Sequence, residues 1–129
     1  MKKKILLIED EPLQIEIYEK VIKEAGFEIE SLEWGKEGLK RLEEIKAKKK
    51  ERPDLILLDL ILPDINGLAI LKKAKTDPEL KDIPFFIFTN YSAPGLEKTG
   101  KDLGAEKHII KTDVTSSQLV KLIKDWFTR

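Results

Sequence analysis

Four short runs in this chain end beside a side chain that can do chemistry. Lys4–Ile8 is followed by Glu9, Asp10 and Glu11, and Leu55–Leu58 by Asp59. Phe85–Phe88 is followed by Thr89, and Lys107–Ile110 by Lys111. If these runs are parallel strands of one sheet, their carboxyl ends form a single rim, the place where ligands bind in open α/β sheets. The rim would then carry acids from two strands, a hydroxyl and an ammonium. Carboxylates about 4 Å apart repel by about 4 kcal/mol per pair at an effective dielectric near 20, so such a cluster invites a hard divalent cation. Mg²⁺ prefers oxygen ligands and keeps several waters, which suits one or two carboxylates plus a phosphate oxygen. A carboxylate beside such an ion can attack phosphorus and form an aspartyl phosphate. The lysine and the hydroxyl would stabilise charge on the phosphoryl oxygens, which is most of what phosphoryl transfer asks of a protein.

Each residue alone has a plainer reading. An acid after a buried strand is often an N-cap or a solvated loop residue, and Glu9-Asp10-Glu11 could simply favour the positive end of a helix. Thr89 and Lys111 singly say little. Their convergence at successive strand ends is what points to phosphoryl chemistry centred on Asp59.

The elements that must position them alternate along the chain. Lys4–Ile8 is continuously apolar after its lysine, as a strand buried on both faces is. Pro12 stands at a first helical position. Leu13, Ile17, Val21 and Ala25 recur every four residues, widened by Tyr18 and Ile22, and predict the inward stripe of a helix that Gly26 ends. Phe27–Leu32 reads as a second strand and Lys36–Lys50 as a second helix, with Leu39, Leu42 and Ile45 inward. Leu55–Leu58 is the third strand, Leu68–Ala74 a third helix, and Phe85–Phe88 a fourth strand. A fourth helix is expected within Pro94–Leu103, where Gly95 and Gly100 lower helicity by about 1 kcal/mol each relative to alanine. After the strand Lys107–Ile110, Thr115 and Gln118 are spaced as a capping box that opens a last helix carrying Leu119, Leu122, Ile123, Trp126 and Phe127. Five strands and five helices in strict alternation predict an α/β fold, a parallel sheet covered on both faces. A single domain with no output domain attached is expected.

Composition removes several functions. The 24 basic and 24 acidic residues cancel, which disfavours a sequence-independent nucleic-acid binder. No cysteine is present and His108 is the only histidine, so thiolate and polyhistidine metal sites are excluded. No apolar run reaches the roughly 18–20 residues that span a bilayer, and Ile5–Ile8 is too short for a signal-peptide core of about 7–15 residues. A cytoplasmic protein without membrane contact is the expectation.

With those residues in view, the chain resembles the receiver domains of two-component signalling along essentially its whole length. Ile5–Pro12 (ILLIEDEP) is similar to that family's first strand and acidic pair, and Pro53–Gly67 (PDLILLDLILPDING) to its phosphoacceptor segment. Phe88-Thr89 and Ile109-Ile110-Lys111 fit the other two landmarks in order. The resemblance implies a flavodoxin-like fold with strand order 2-1-3-4-5. It makes Asp59 the phosphoacceptor. Mg²⁺ would be bound by Asp10 and Asp59, with Glu9 acting nearby or through water and the backbone carbonyl of Ile61 adding an oxygen. Thr89 would hydrogen-bond the phosphoryl group and Lys111 pair with it. His108 falls at the family's switch position, usually aromatic, and a partly exposed strand residue is its alternative reading. Ile61 and Tyr91 would flank the path of a hydrolytic water. The implied partners are a histidine kinase or histidine phosphotransfer protein and a downstream protein of unknown identity. A monomer is expected, with a phosphorylation-dependent dimer left open.

The chain also departs from the family pattern. Thr112 stands where proline usually follows the lysine, often through a cis bond, and Asn90 where a small residue is common. Trp34 occupies a loop that tends to be polar, where a packing anchor is expected ahead of a partner contact. A degenerate, phosphorylation-independent scaffold would need these departures to disable the site. A haloacid-dehalogenase-type phosphatase or a Toprim-type nuclease would want a second acid two residues after the first, where Ile61 stands. Dinucleotide binding is disfavoured because Glu9-Asp10-Glu11 replaces a glycine-rich turn. The domain is therefore expected to catalyse only its own phosphorylation and dephosphorylation, with output through the fourth helix, fifth strand and fifth helix.

Overall fold

A computed structural model describes residues 2–129. Five strands, β1 (Lys4–Ile8), β2 (Glu28–Leu32), β3 (Leu55–Leu58), β4 (Phe85–Thr89) and β5 (Lys107–Ile110), form one parallel sheet in the order β2-β1-β3-β4-β5. Between and after them run α1 (Pro12–Glu24), α2 (Gly35–Lys46), α3 (Gly67–Lys75), α4 (Leu96–Asp102) and α5 (Ser116–Thr128). The predicted class and strand order are both observed. No helix among the described residues is long and apolar enough to cross a membrane.

The continuous apolar character of β1, β3 and β4 follows from their having a core on each side. Successive side chains of a strand point to opposite faces. Ile5, Leu7, Leu55, Leu57, Phe86 and Phe88 therefore pack with Ile15 and Ile22 of α1 and Leu119 and Ile123 of α5. Leu6, Ile8, Ile56, Leu58, Phe85 and Ile87 pack with Leu42 and Ile45 of α2 and with Ile70, Leu71 and Ala74 of α3. Leu96 and Leu103, at either end of α4, lean on this second core.

Several boundaries move by a few residues. α2 stops at Lys46 rather than Lys50; the lysine tail leaves the helix, and Lys48 takes a left-handed backbone with φ 62°. α4 is only the seven residues Leu96–Asp102, opened by Gly95 at φ 79°. Thr115 and Gln118 do form the expected reciprocal cap of α5.

One helix face is corrected. α1 buries Ile15 and Ile22, with Tyr18 and Val21 partly covered, whereas Leu13 and Ile17 are 69% and 52% exposed. Steps of four overshoot a 3.6-residue turn, so that series drifts round the helix. The spacing of 15, 18 and 22 keeps to one face. Trp34, which precedes α2, is 48% exposed.

Candidate functional site

The register of the three central strands brings the chemistry together. Ile8 pairs with Leu58, and Leu58 with Ile87, so β1, β3 and β4 end nearly level. The chain continues the alignment past the strands, since the Asp59 N–H donates to the Ile8 carbonyl at 3.0 Å and the Glu9 N–H to the Leu32 carbonyl at 3.0 Å. Glu9, Asp59, Thr89 and Lys111 are all buried polar residues. Such groups persist inside a protein when they are paired and hydrogen-bonded.

Both oxygens of the Asp59 carboxylate are engaged. Oδ1 accepts from the Thr89 hydroxyl at 2.8 Å and from the Ile61 backbone N–H at 3.1 Å. Oδ2 accepts from Lys111 Nζ at 2.9 Å. Thr89 Oγ1 in turn accepts the Tyr91 N–H at 3.2 Å, which fixes the hydroxyl's direction. Lys111 also donates to Glu9 Oε1 and to Gln14 Oε1, the latter at 2.6 Å, and lies 5.5 Å from the centroid of the Phe88 ring. Glu9 Oε2 accepts the Glu11 N–H at 3.0 Å.

Burial acts on these charges in opposite senses. It pushes the Glu9 carboxyl above its usual value, against the hydrogen bond from Lys111. It works against the Lys111 ammonium too, but the hydrogen bond to Glu9 and the charge of Asp59 outweigh it and raise that group. Lys111 is thus held as a cation between two carboxylates.

Three carboxylates meet here. Glu9, Asp10 and Asp59 each offer an oxygen, and those oxygens lie within 4.8 Å of one another. All are hard oxygen donors, and two are buried, so the set fits a small divalent cation.

The loop after Asp59 is built to hold the carboxylate still. The Gly67 N–H donates to the Leu60 carbonyl at 2.8 Å, and Ile61 bridges Asn66. A Cβ on Gly67 would stand 2.3 Å from the Asp59 carbonyl oxygen, so only glycine lets α3 start this close to the Asp59 backbone. Asn66 caps α3 by accepting the Leu68 N–H at 2.9 Å. Asp64 reaches across to accept the N–H groups of Gly35 and Lys36, both at 2.8 Å, and ties the loop to the start of α2.

A response regulator receiver domain model matches residues 5–124. The chain belongs to that family. The polar-differentiation response regulator DivK of Brucella anthropi is 30% identical over 126 residues, which cover 98% of this chain and 97% of the relative. The phosphorylated cyanobacterial phytochrome response regulator RcpA has 32% identity and a TM-score of 0.78, with 97% of this chain and 91% of that chain covered. The Mn²⁺-bound response regulator Rcp1 has 27% identity and a TM-score of 0.85, with 97% and 94% covered. A phosphorylation switch is general to receiver domains, and they generally bind Mg²⁺.

Ile61 meets Asp59 through its N–H, and its side chain is exposed; Tyr91 is likewise exposed beyond its bond to Thr89. His108 lies away from the rim on β5, half-buried, with Nδ1 enclosed and, among the described residues, without a hydrogen-bond partner. Burial lowers its pKa, and Glu97 opposes that. Among the described residues there is no cis peptide bond, so Lys111–Thr112 is trans and begins a short 3₁₀ turn. Sequence reasoning missed two residues. Gln14, in the first turn of α1, carried no signal of its own and is marked only by its hydrogen bond from Lys111. Gly67 had no signal beyond its place after Asn66.

Proposed function

We propose that this receiver domain is a phosphorylation-controlled signalling switch that takes a phosphoryl group on Asp59 from a histidine kinase or histidine phosphotransfer protein. The observation that carries this reading is the clasp on Asp59. A hydroxyl and an ammonium grip opposite oxygens of a carboxylate beside two further acids.

One oxygen of Asp59 attacks phosphorus as the bond from phosphorus to the donor's imidazole nitrogen breaks. Lys111, already at the carboxylate, follows the charge onto the phosphoryl oxygens, and the Thr89 hydroxyl turns from Asp59 to the new group. Mg²⁺, held by Glu9, Asp10, Asp59 and the Ile61 backbone carbonyl, would neutralise charge shared between the carboxylate and the phosphoryl group. Movement of Thr89 is communicated to β5, its partner strand, and so to His108 and the face formed by α4, β5 and α5. That face then changes its preference for a downstream protein. The exposed side chains of Ile61 and Tyr91 restrict water's approach and slow hydrolysis. The chain catalyses only its own phosphorylation and dephosphorylation.

Incubation with acetyl phosphate and Mg²⁺ should add one phosphate to the intact mass of the wild type and none to Asp59→Asn. Equal, unmodified masses would favour a phosphorylation-independent scaffold instead. Size-exclusion chromatography of the labelled protein reports whether a dimer forms.

A further inference from the structure

An ammonium has three hydrogens to donate, and at Lys111 three acceptors take them: Glu9 Oε1, Gln14 Oε1 and Asp59 Oδ2. The three differ in what else they must do. Glu9 and Asp59 are carboxylates of the acidic cluster, and a divalent cation bound there competes with Lys111 for their oxygens. Gln14 is neutral and outside that cluster. Its amide oxygen is a weak rival for a cation and a good acceptor for an ammonium.

We propose that Gln14 is a positioning residue, which keeps Lys111 Nζ over the phosphoacceptor when the cation draws Glu9 away. The inference rests on the phosphoryl-transfer reading above and adds to it. α1 supplies the geometry: the helix begins at Pro12, directly after the acids, so Gln14 in its first turn stands beside the rim. Gln14 reaches Lys111 at 2.6 Å, across 97 residues of sequence. The lysine needs such a tether because its four-carbon stem is flexible and its head is a compact, freely turning charge. With Glu9 committed elsewhere and Asp59 carrying a phosphoryl group, Gln14 is the one of the three acceptors whose duty does not change. Its effect is therefore on the rate of transfer and not on metal affinity.

The test uses the whole chain with Gln14→Met, which keeps length and helix propensity and removes the acceptor, and Gln14→Glu, which restores one. In protein labelled with ¹⁵N at lysine side chains, the Lys111 ammonium signal should be protected in metal-free wild type and in metal-free Gln14→Met, where Glu9 and Asp59 still hold it. On saturation with Mg²⁺ alone, the wild type should keep that signal, Gln14→Met should lose it, and Gln14→Glu should recover it. With acetyl phosphate, the maximal phosphorylation rate of Gln14→Met should fall about tenfold, the worth of one hydrogen bond to a charged group. Half-saturation by Mg²⁺, measured by calorimetry, should stay within about twofold in Gln14→Met, as expected for a group that binds no metal. The proposal is overturned if wild type loses the ammonium signal with Mg²⁺, if Gln14→Met keeps it, or if metal affinity falls in step with rate. If the wild type takes no phosphate at all, the functional reading fails, and the Mg²⁺ arm still decides the role of Gln14.

Discussion

Replacing Lys111 with methionine tests whether this lysine holds the rim together without metal. The side chains of Lys111, Glu9 and Asp59 are 4%, 2% and 10% exposed, so the substitution strands two buried carboxylates. Removing one partner of a buried ion pair costs about 3–5 kcal/mol. At about 3–5 °C per kcal/mol for a domain of this size, the melting temperature in EDTA near neutral pH should fall by roughly 10–20 °C. Two further signatures separate a charge effect from simple misfolding. Mg²⁺ replaces the missing cation, and a hundredfold excess over its dissociation constant returns about 2.7 kcal/mol. Acid should help as well. Burial already raises Glu9, and without Lys111 its folded pKa rises further. A carboxyl whose folded value lies above the unfolded one destabilises when ionised, so the deficit narrows as pH falls toward the unfolded value near 4.5. Thermal melts followed by circular dichroism, across pH and with or without Mg²⁺, measure all three. A variant that melts within about 3 °C of wild type in EDTA, with no narrowing in acid, would refute the reasoning.

Gly67→Ala should cost about 3 kcal/mol or more, since its Cβ meets backbone that cannot swing aside, and should slow labelling of Asp59 by acetyl phosphate. Urea denaturation and intact-mass kinetics check it, and a variant that is stable and labels normally would count against the close approach. On α1, Ile15→Ala should lose about 2–4 kcal/mol and Leu13→Ala and Ile17→Ala under about 1 kcal/mol each, by urea denaturation. Equal losses would restore the predicted stripe. His108, lowered by burial with Nδ1 unpartnered, should stabilise the fold fully above pH 6.5 and lose that contribution as pH falls through its folded value. Melting temperatures below pH 6.5 should therefore decline less in His108→Phe, and identical slopes would dismiss the effect.

Much of the site was legible because the sheet is parallel and buried. Strands with a core on each face must be continuously apolar, so Glu9, Asp59, Thr89 and Lys111 stand out where the runs stop. Topology then needs only alternation to put those ends on one rim. α1 was harder because it carries apolar residues on two faces, and the sequence cannot say which one the sheet takes. Ile15 and Ile22 win by joining the core that contains Leu7, Leu57 and Phe88 in the folded chain. Gln14 escaped notice for a related reason: a glutamine near the surface of a helix acquires meaning only from Lys111, far away in sequence. Gly67 was opaque because its role is the absence of a side chain beside the Asp59 carbonyl, a distance that no linear pattern records.

The lysine clasp has a consequence for how the protein folds. Lys111 lies in salt-bridge range of both Glu9 and Asp59, so the chain itself supplies a counter-charge for the two buried carboxylates that folding brings together.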